Sequence, residues 1–168
     1  CMMQQKWDEA YDAFFKSAWN AAWQDAAYYA LAQLDTRKGK YESALDKIDR
    51  SLIRNWHNHK ARQLKISILR KLGRKEEALA LVAESLQIDR FNMGCRFEHY
   101  LLTRDVEVLE EMKKLMRSWA HGYIEYALDF AAAGLYEEAF SLLECYVIGV
   151  TEVYPVVYYT MGYFHTCK

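Results

Sequence analysis

Gly39-Lys40-Tyr41-Glu42-Ser43-Ala44-Leu45 decides the reading of this 168-residue chain, because it comes back. Its counterpart 34 residues later is Gly73-Arg74-Lys75-Glu76-Glu77-Ala78-Leu79, and a third copy, Gly134-Leu135-Tyr136-Glu137-Glu138-Ala139-Phe140, follows after 61 more. Trp7-Asp8-Glu9-Ala10 repeats the phrase 34 residues before Ala44. Each glycine closes an apolar run of helical spacing, since it accepts the left-handed conformation that ends a helix. Arg37 and Lys38, just before Gly39, suit the negative end of a helix dipole, and Glu76-Glu77 and Glu137-Glu138 suit the positive start of the next. A fixed period near 34 marks a stacked helical repeat.

The periodicity places the helices. Asp25 to Lys38 carries Tyr28, Leu31, Ala32 and Leu34 on one stripe, and Tyr41 to Ile53 turns Ala44, Leu45, Ile48 and Leu52 inward. From His59, Ala61, Leu64, Ile68, Leu69 and Leu72 give a first helix and Ala78, Leu79, Val82, Leu86 and Ile88 a second. Around Gly134 the pair is Tyr123, Ala127 and Phe130, then Ala139, Phe140 and Leu143. Between them Met93 to Leu102 reads as a short first helix, and Asp105 caps a second that carries Val108, Leu109, Met112, Leu115 and Met116. Only 61 residues stand where two repeats need 68, a deficit of about two helical turns, which keeps the apolar faces in phase. The expected architecture is all-α: one domain over 1–168, a right-handed superhelical array of antiparallel helix pairs with about nine to ten helices. Its segments are 1–24, 25–58, 59–92, the shortened 93–119, 120–153 and 154–168.

This pattern resembles the tetratricopeptide repeat (TPR) family, whose repeat has an aromatic, a Leu-Gly pair, a mid-turn glycine and small residues on the second helix. Here the matching residues are Tyr28, Leu31, Ala32, Gly39, Ala44 and Ser51, then Gly73, Ala78 and Ser85, then Tyr123, Ala127, Gly134 and Ala139. Ile66 and Tyr146 are large where the family has small residues, and Trp56, Arg90 and Thr151 replace its usual proline. The resemblance implies a concave groove, lined by first helices, for an extended peptide or a partner helix. Its equivalents in this chain are Tyr29, Gln33 and Arg37, then Lys60, Gln63, Ser67 and Arg70, then His121, Glu125 and Leu128, then Tyr159 and Tyr163. Members that grip the carboxylate tail of heat-shock chaperones use Lys and Asn where this chain has Tyr29 and Gln33, so that role is not expected.

Charge is segregated. Residues 37 to 75 carry 13 Lys/Arg and three acids, a balance of +10, against −11 elsewhere. An acidic protein or peptide is therefore the expected partner. Nucleic-acid binding through 37–75 is a weaker alternative, which a pI near 6.6 opposes. Another is an accessory or oligomerisation region of a multidomain carbohydrate-active protein. Asn55-Trp56-His57-Asn58-His59-Lys60-Ala61-Arg62 and Leu69-Arg70-Lys71-Leu72-Gly73-Arg74 resemble the repeat-bearing tail of large gut-bacterial multidomain proteins. Trp7 to Ala18 reads as a second helix without its first, and Tyr158, Met161 and Gly162 as a first helix that Pro155 opens. The chain is thus expected to be a fragment of a longer protein that self-associates through apolar terminal helices.

Chemistry is sparse. Cys1, Cys95, Cys145 and Cys167 form no CxxC pair and read as reduced, mostly buried thiols, which favours the cytoplasm; a lipid anchor on Cys1 is the minor alternative. His57, His59, His165 and Cys167 do not complete a zinc set, and adjacent acids such as Glu110-Glu111 point about 100° apart on a helix. No phosphate loop, nucleophile motif or run of about 20 apolar residues is present. No enzyme activity, metal, cofactor or membrane span is expected within these residues. Trp7, Trp19, Trp23, Trp56 and Trp119 are expected in the core.

Overall fold

A computed structural model describes residues 6–167, so the readings of Cys1 lie outside the described residues. Among the described residues there are ten α-helices and no strand. They are α1 (Trp7–Ser17), α2 (Gln24–Arg37), α3 (Tyr41–Arg54), α4 (His59–Lys71), α5 (Lys75–Ile88), α6 (Met93–Thr103), α7 (Val106–Met116), α8 (Ala120–Ala132), α9 (Tyr136–Gly149) and α10 (Pro155–Thr166). A 3-10 turn, Ala21–Trp23, precedes α2. The chain divides into two compact units, Cys1–Leu81 and Val82–Lys168, with the division inside α5.

The repeated phrase folds as its chemistry demands. Ala10, Ala44, Ala78 and Ala139 are all buried, the last three completely. A small residue at such a position lets a neighbouring helix approach closely. Gly39, Gly73 and Gly134 have φ of 71°, 76° and 77°. Around each, two hydrogen bonds close the preceding helix: Gly39 N donates to Thr36 O and Lys40 N to Asp35 O, Gly73 N to Arg70 O and Arg74 N to Leu69 O, Gly134 N to Ala131 O and Leu135 N to Phe130 O. This is the Schellman arrangement, in which the turn absorbs the carbonyls the helix end leaves unpaired.

In the first unit α2 and α3 make the most extensive contact, α1 lies against α2, and α4 touches both α3 and α2. Leu31, Leu34, Ile48, Leu52 and Ile68 are almost wholly buried there. Ser51, at a small-residue position, donates to the Asp25 carbonyl at 2.8 Å and ties the end of α3 to the start of α2. In the second unit α6 packs on α7, α8 on α9, and α10 on both α9 and α8. Its core holds Phe97, Met112, Tyr123, Phe130, Leu143 and Phe164, with the Phe97 and Phe130 rings edge to face at 5.8 Å.

The seven-residue deficit is spread over the short repeat. Compared with the repeat from α4, its first helix loses two residues, the turn one, the second helix three and the connector one. The tightened turns have no glycine. Arg104 (φ 58°), Arg117 (φ 51°) and Ser118 (φ 56°) adopt the left-handed conformation instead. Asp105 caps α7 by accepting from Glu107 N at 2.9 Å.

The tryptophans correct the expectation of a Trp-rich core. Trp19, Trp23, Trp56 and Trp119 are exposed and Trp7 is half-buried. The core is built instead from Leu, Ile, Ala and Phe, and the indoles occupy helix ends and connectors.

Candidate functional site

The connector before a first helix carries a small module that repeats with the 34-residue period. Asn58 caps α4, its Oδ1 accepting from Ala61 N at 3.1 Å, and Asn92 caps α6 by accepting from Cys95 N at 3.1 Å. Four residues after each asparagine stands an arginine turned back onto the connector. Arg62 Nη1 donates to Trp56 O at 3.4 Å, and Arg96 Nε donates to Arg90 O at 2.9 Å. Arg62 is fully buried, with its guanidinium 4.4 Å from the Trp56 ring centroid. Sequence reasoning missed this module. The signal was Asn-x-x-x-Arg at positions 58–62 and again at 92–96, in register with the alanine ladder.

The module changes at the next two first helices. Trp119 stands at the N-cap of α8 and Tyr154 at the N-cap of α10, and neither makes a side-chain capping bond. The positions of the arginines become Tyr123 and Tyr158. Aromatic side chains thus gather where the earlier repeats place Asn and Arg.

The predicted groove residues fall into one set per unit. In the first unit α2 presents Tyr29, Gln33 and Arg37, and the adjacent α4 presents Lys60, Gln63, Ser67 and Arg70. Tyr29 is half-buried and accepts a hydrogen bond from the Gln33 amide at 3.1 Å. Gln33, Gln63 and Ser67 are buried, and Ser67 Oγ donates to the Gln63 carbonyl at 3.2 Å. Arg37 is half-buried with its guanidinium 4.4 Å from the Trp7 ring centroid. Lys60 is exposed and Arg70 half-buried. In the second unit His121, Glu125 and Leu128 on α8 and Tyr159 and Tyr163 on α10 are exposed, and those two helices are in contact.

Local ion pairs temper the basic segment. Lys38 pairs with Asp8, Lys47 with Asp35, Arg50 with Asp46, Lys65 with Asp49 and Arg74 with Glu77. Asp35 is buried, and it also accepts from Ser43 Oγ at 2.7 Å. Burial alone pushes the Lys47 ammonium down, but hydrogen bonds to Asp35 and Tyr11 outweigh it, and the net shift is upward. Asp8, Tyr11, Asp12, Asp35, Lys38, Lys40 and Ser43 line an open pocket of about 260 Å³.

A larger cavity of about 420 Å³ opens in the second unit, where α8 and α10 begin. Trp119, His121, Tyr146, Glu152 and Tyr154 line it with Ser118, Ala120, Val153 and Pro155. The His121 ring lies 6.2 Å from Trp119 and 5.5 Å from Tyr154, at interplanar angles of 65° and 64°. Tyr146 is buried against Tyr123 at 5.2 Å. Burial pushes the Tyr123 phenol up to about 12 and raises the Cys145 thiol, which Lys113 only partly offsets. Among the described residues no three His, Cys, Asp or Glu side chains converge as a metal set, and no helix is long and apolar enough to cross a membrane.

No family model matches the sequence, and no curated protein matches it. Solved structures do. Two crystal structures of MamA superpose at TM-scores of 0.62 and 0.61 with 13% identity, covering 87% of this chain and 90% and 84% of theirs. YrrB, described as a TPR protein with an unusual peptide-binding site, superposes at 0.57 with 16% identity over 87% of this chain and 79% of its own. At such identity the likeness speaks for the fold. With the 34-residue period, the buried alanine ladder and the three glycine turns, it gives this chain the TPR-like helical-repeat fold.

Proposed function

We propose that this chain is a non-catalytic protein-interaction scaffold and that the first unit takes an acidic peptide or partner helix along α2 and α4. The observation that carries this reading is the stripe Lys60, Gln63, Ser67 and Arg70, spaced to share one face of α4. Its middle members are buried, so contact would fall on the two cations at its ends, ten residues apart. Ten helical residues span about 15 Å, which an extended peptide covers in about four to five residues. The fitting ligand therefore has two acidic side chains at that separation, with an apolar residue between them for Tyr29. YrrB, which has the same fold, carries a peptide-binding site by description.

The test is fluorescence anisotropy with labelled peptides that carry two Glu residues five apart or two apart. The wider spacing should bind more tightly, and Lys60→Glu with Arg70→Glu should cost about tenfold or more in affinity. Equal binding of both peptides, or no effect of charge reversal, would sink the reading.

A second reading, self-association, is favoured by exposed aromatics near both terminal helices. Phe15, Trp19 and Trp23 are exposed at and after the end of α1, and Tyr158, Tyr159 and Tyr163 along α10. Apolar surface of this kind is commonly covered by a partner. Sedimentation velocity across a wide concentration range should show reversible mass increase that Phe15→Ser with Trp19→Ser reduces. A constant monomer mass would eliminate it.

A further inference from the structure

We infer that the cavity at the start of α8 and α10 is a binding site for an arginine side chain presented by a partner protein. Three observations converge on this ligand. The first is the lining: Trp119, His121, Tyr146 and Tyr154 line an open depression of about 420 Å³, with one carboxylate, Glu152, and no Lys or Arg among the lining residues. A guanidinium stacks on aromatic faces and donates to a carboxylate at its edge, so this set suits it better than a compact ammonium.

The second is the charge around it. Residues 120–167 contain six acids and no Lys or Arg. The starts of α8 and α10 bring about half a positive charge each, which the Glu152 carboxylate cancels to first order. Arg117 adjoins the lining residue Ser118, and the other five acids lie along α8 and α9, so what favours a cation at the lining itself is the negative faces of the rings.

The third is the repeat itself. At α4 the connector supplies the Trp56 ring and the chain supplies Arg62, which stacks on it at 4.4 Å and donates to its carbonyl. At α6 Arg96 makes the corresponding carbonyl bond. At α8 the capping asparagine is replaced by Trp119 and the arginine by Tyr123, and no Lys or Arg is among the cavity's lining residues. The Arg62–Trp56 pair is this chain's own instance of a guanidinium held by an indole face and a connector carbonyl. The Trp119 ring is also positioned rather than loose. Gly122 lies beneath it, and a Cβ there would stand 2.8 Å from Trp119 Cε3. Trp119 and Tyr154 occupy N-cap positions, where Ser, Thr, Asp or Asn normally adds a stabilising bond, and both leave that bond unmade.

The site is separate from the acidic-peptide reading, because it lies in the other unit and takes the opposite charge. The experiment is calorimetric titration of the whole chain with acetyl-Gly-Arg-Gly-amide, its citrulline and lysine counterparts, and acetyl-Gly-Glu-Gly-amide. The Arg peptide should bind about tenfold more tightly than citrulline, a neutral isostere, and more tightly than lysine. Glu152→Gln, on an exposed connector, and Trp119→Ala, with folding checked by circular dichroism, should each weaken the Arg peptide about fivefold or more. Lys60→Glu with Arg70→Glu should leave this binding unchanged. Equal binding of citrulline or lysine, preference for the Glu peptide, no binding of any probe, or full affinity in both cavity variants would overturn the assignment.

Discussion

The Arg62 guanidinium stacks on the Trp56 ring at 4.4 Å and donates to the Trp56 carbonyl at 3.4 Å, so one fully buried cation fixes the connector between two helix pairs. Truncating Arg62 leaves a partly buried carbonyl without this donor and removes the packing of a long side chain. Arg62→Ala should destabilise the chain by about 2–4 kcal/mol, whereas Trp56→Phe, which keeps a ring, should cost about 1 kcal/mol or less. Chemical denaturation of the two variants compares them directly.

Turn glycines and turn arginines should respond with opposite signs. A Cβ on Gly73 meets nothing within 4 Å, so the cost of Gly73→Ala is that of placing alanine at φ 76°, about 1 kcal/mol or somewhat more. Arg104 already bears that cost at φ 58°, so Arg104→Gly should stabilise by up to about 1 kcal/mol. Thermal melts should move down for the first and up for the second.

Tyr123 makes stability depend on alkaline pH. Its folded pKa is pushed up to about 12 by burial, above the value near 10 of an exposed phenol. The unfolded chain therefore loses this proton first as pH rises. The stabilisation is complete below about pH 10 and is lost progressively as pH rises through about 12, in all about 2–3 kcal/mol. Tyr123→Phe should flatten this part of the stability profile and remove a late component from the phenolate absorbance titration.

Thiol labelling should rank the cysteines. Cys95 is buried, and burial raises the Cys145 thiol, so both should alkylate about tenfold or more slowly than under unfolding conditions. Mass spectrometry of a timed labelling series reads each site. Rapid modification of Cys95 in the folded chain would contradict the packing of α6.

The sequence carried the fold well and the surfaces less well, for physical reasons. Helix positions follow from a period and from glycine turns, which are local signals, and Ala44, Ala78 and Ala139 mark close helix approaches without reference to distant residues. The division of the seven-residue deficit was hidden, because arginine and serine can take the left-handed turn at Arg104, Arg117 and Ser118 and give no sign of it in composition. The exposed tryptophans were misjudged because a helix-spaced indole satisfies the core pattern equally well at a helix end. Gln33, Gln63 and Ser67 sit on the predicted stripes, but their burial depends on neighbouring helices, which spacing along one helix does not report. The Asn-x-x-x-Arg module was legible in register with the repeat and became meaningful once both arginines were seen to reach the same backbone position.

The central claim is that α2 and α4 of the first unit form the acidic-peptide surface, and backbone amide shifts of isotope-labelled protein test it most directly. Titration with the peptide carrying two Glu residues five apart should move the amides around Tyr29, Lys60 and Arg70, and raising the salt should weaken the response about tenfold. Shifts confined to other helices, or equal shifts with a peptide in which both Glu residues are Lys, would contradict the account.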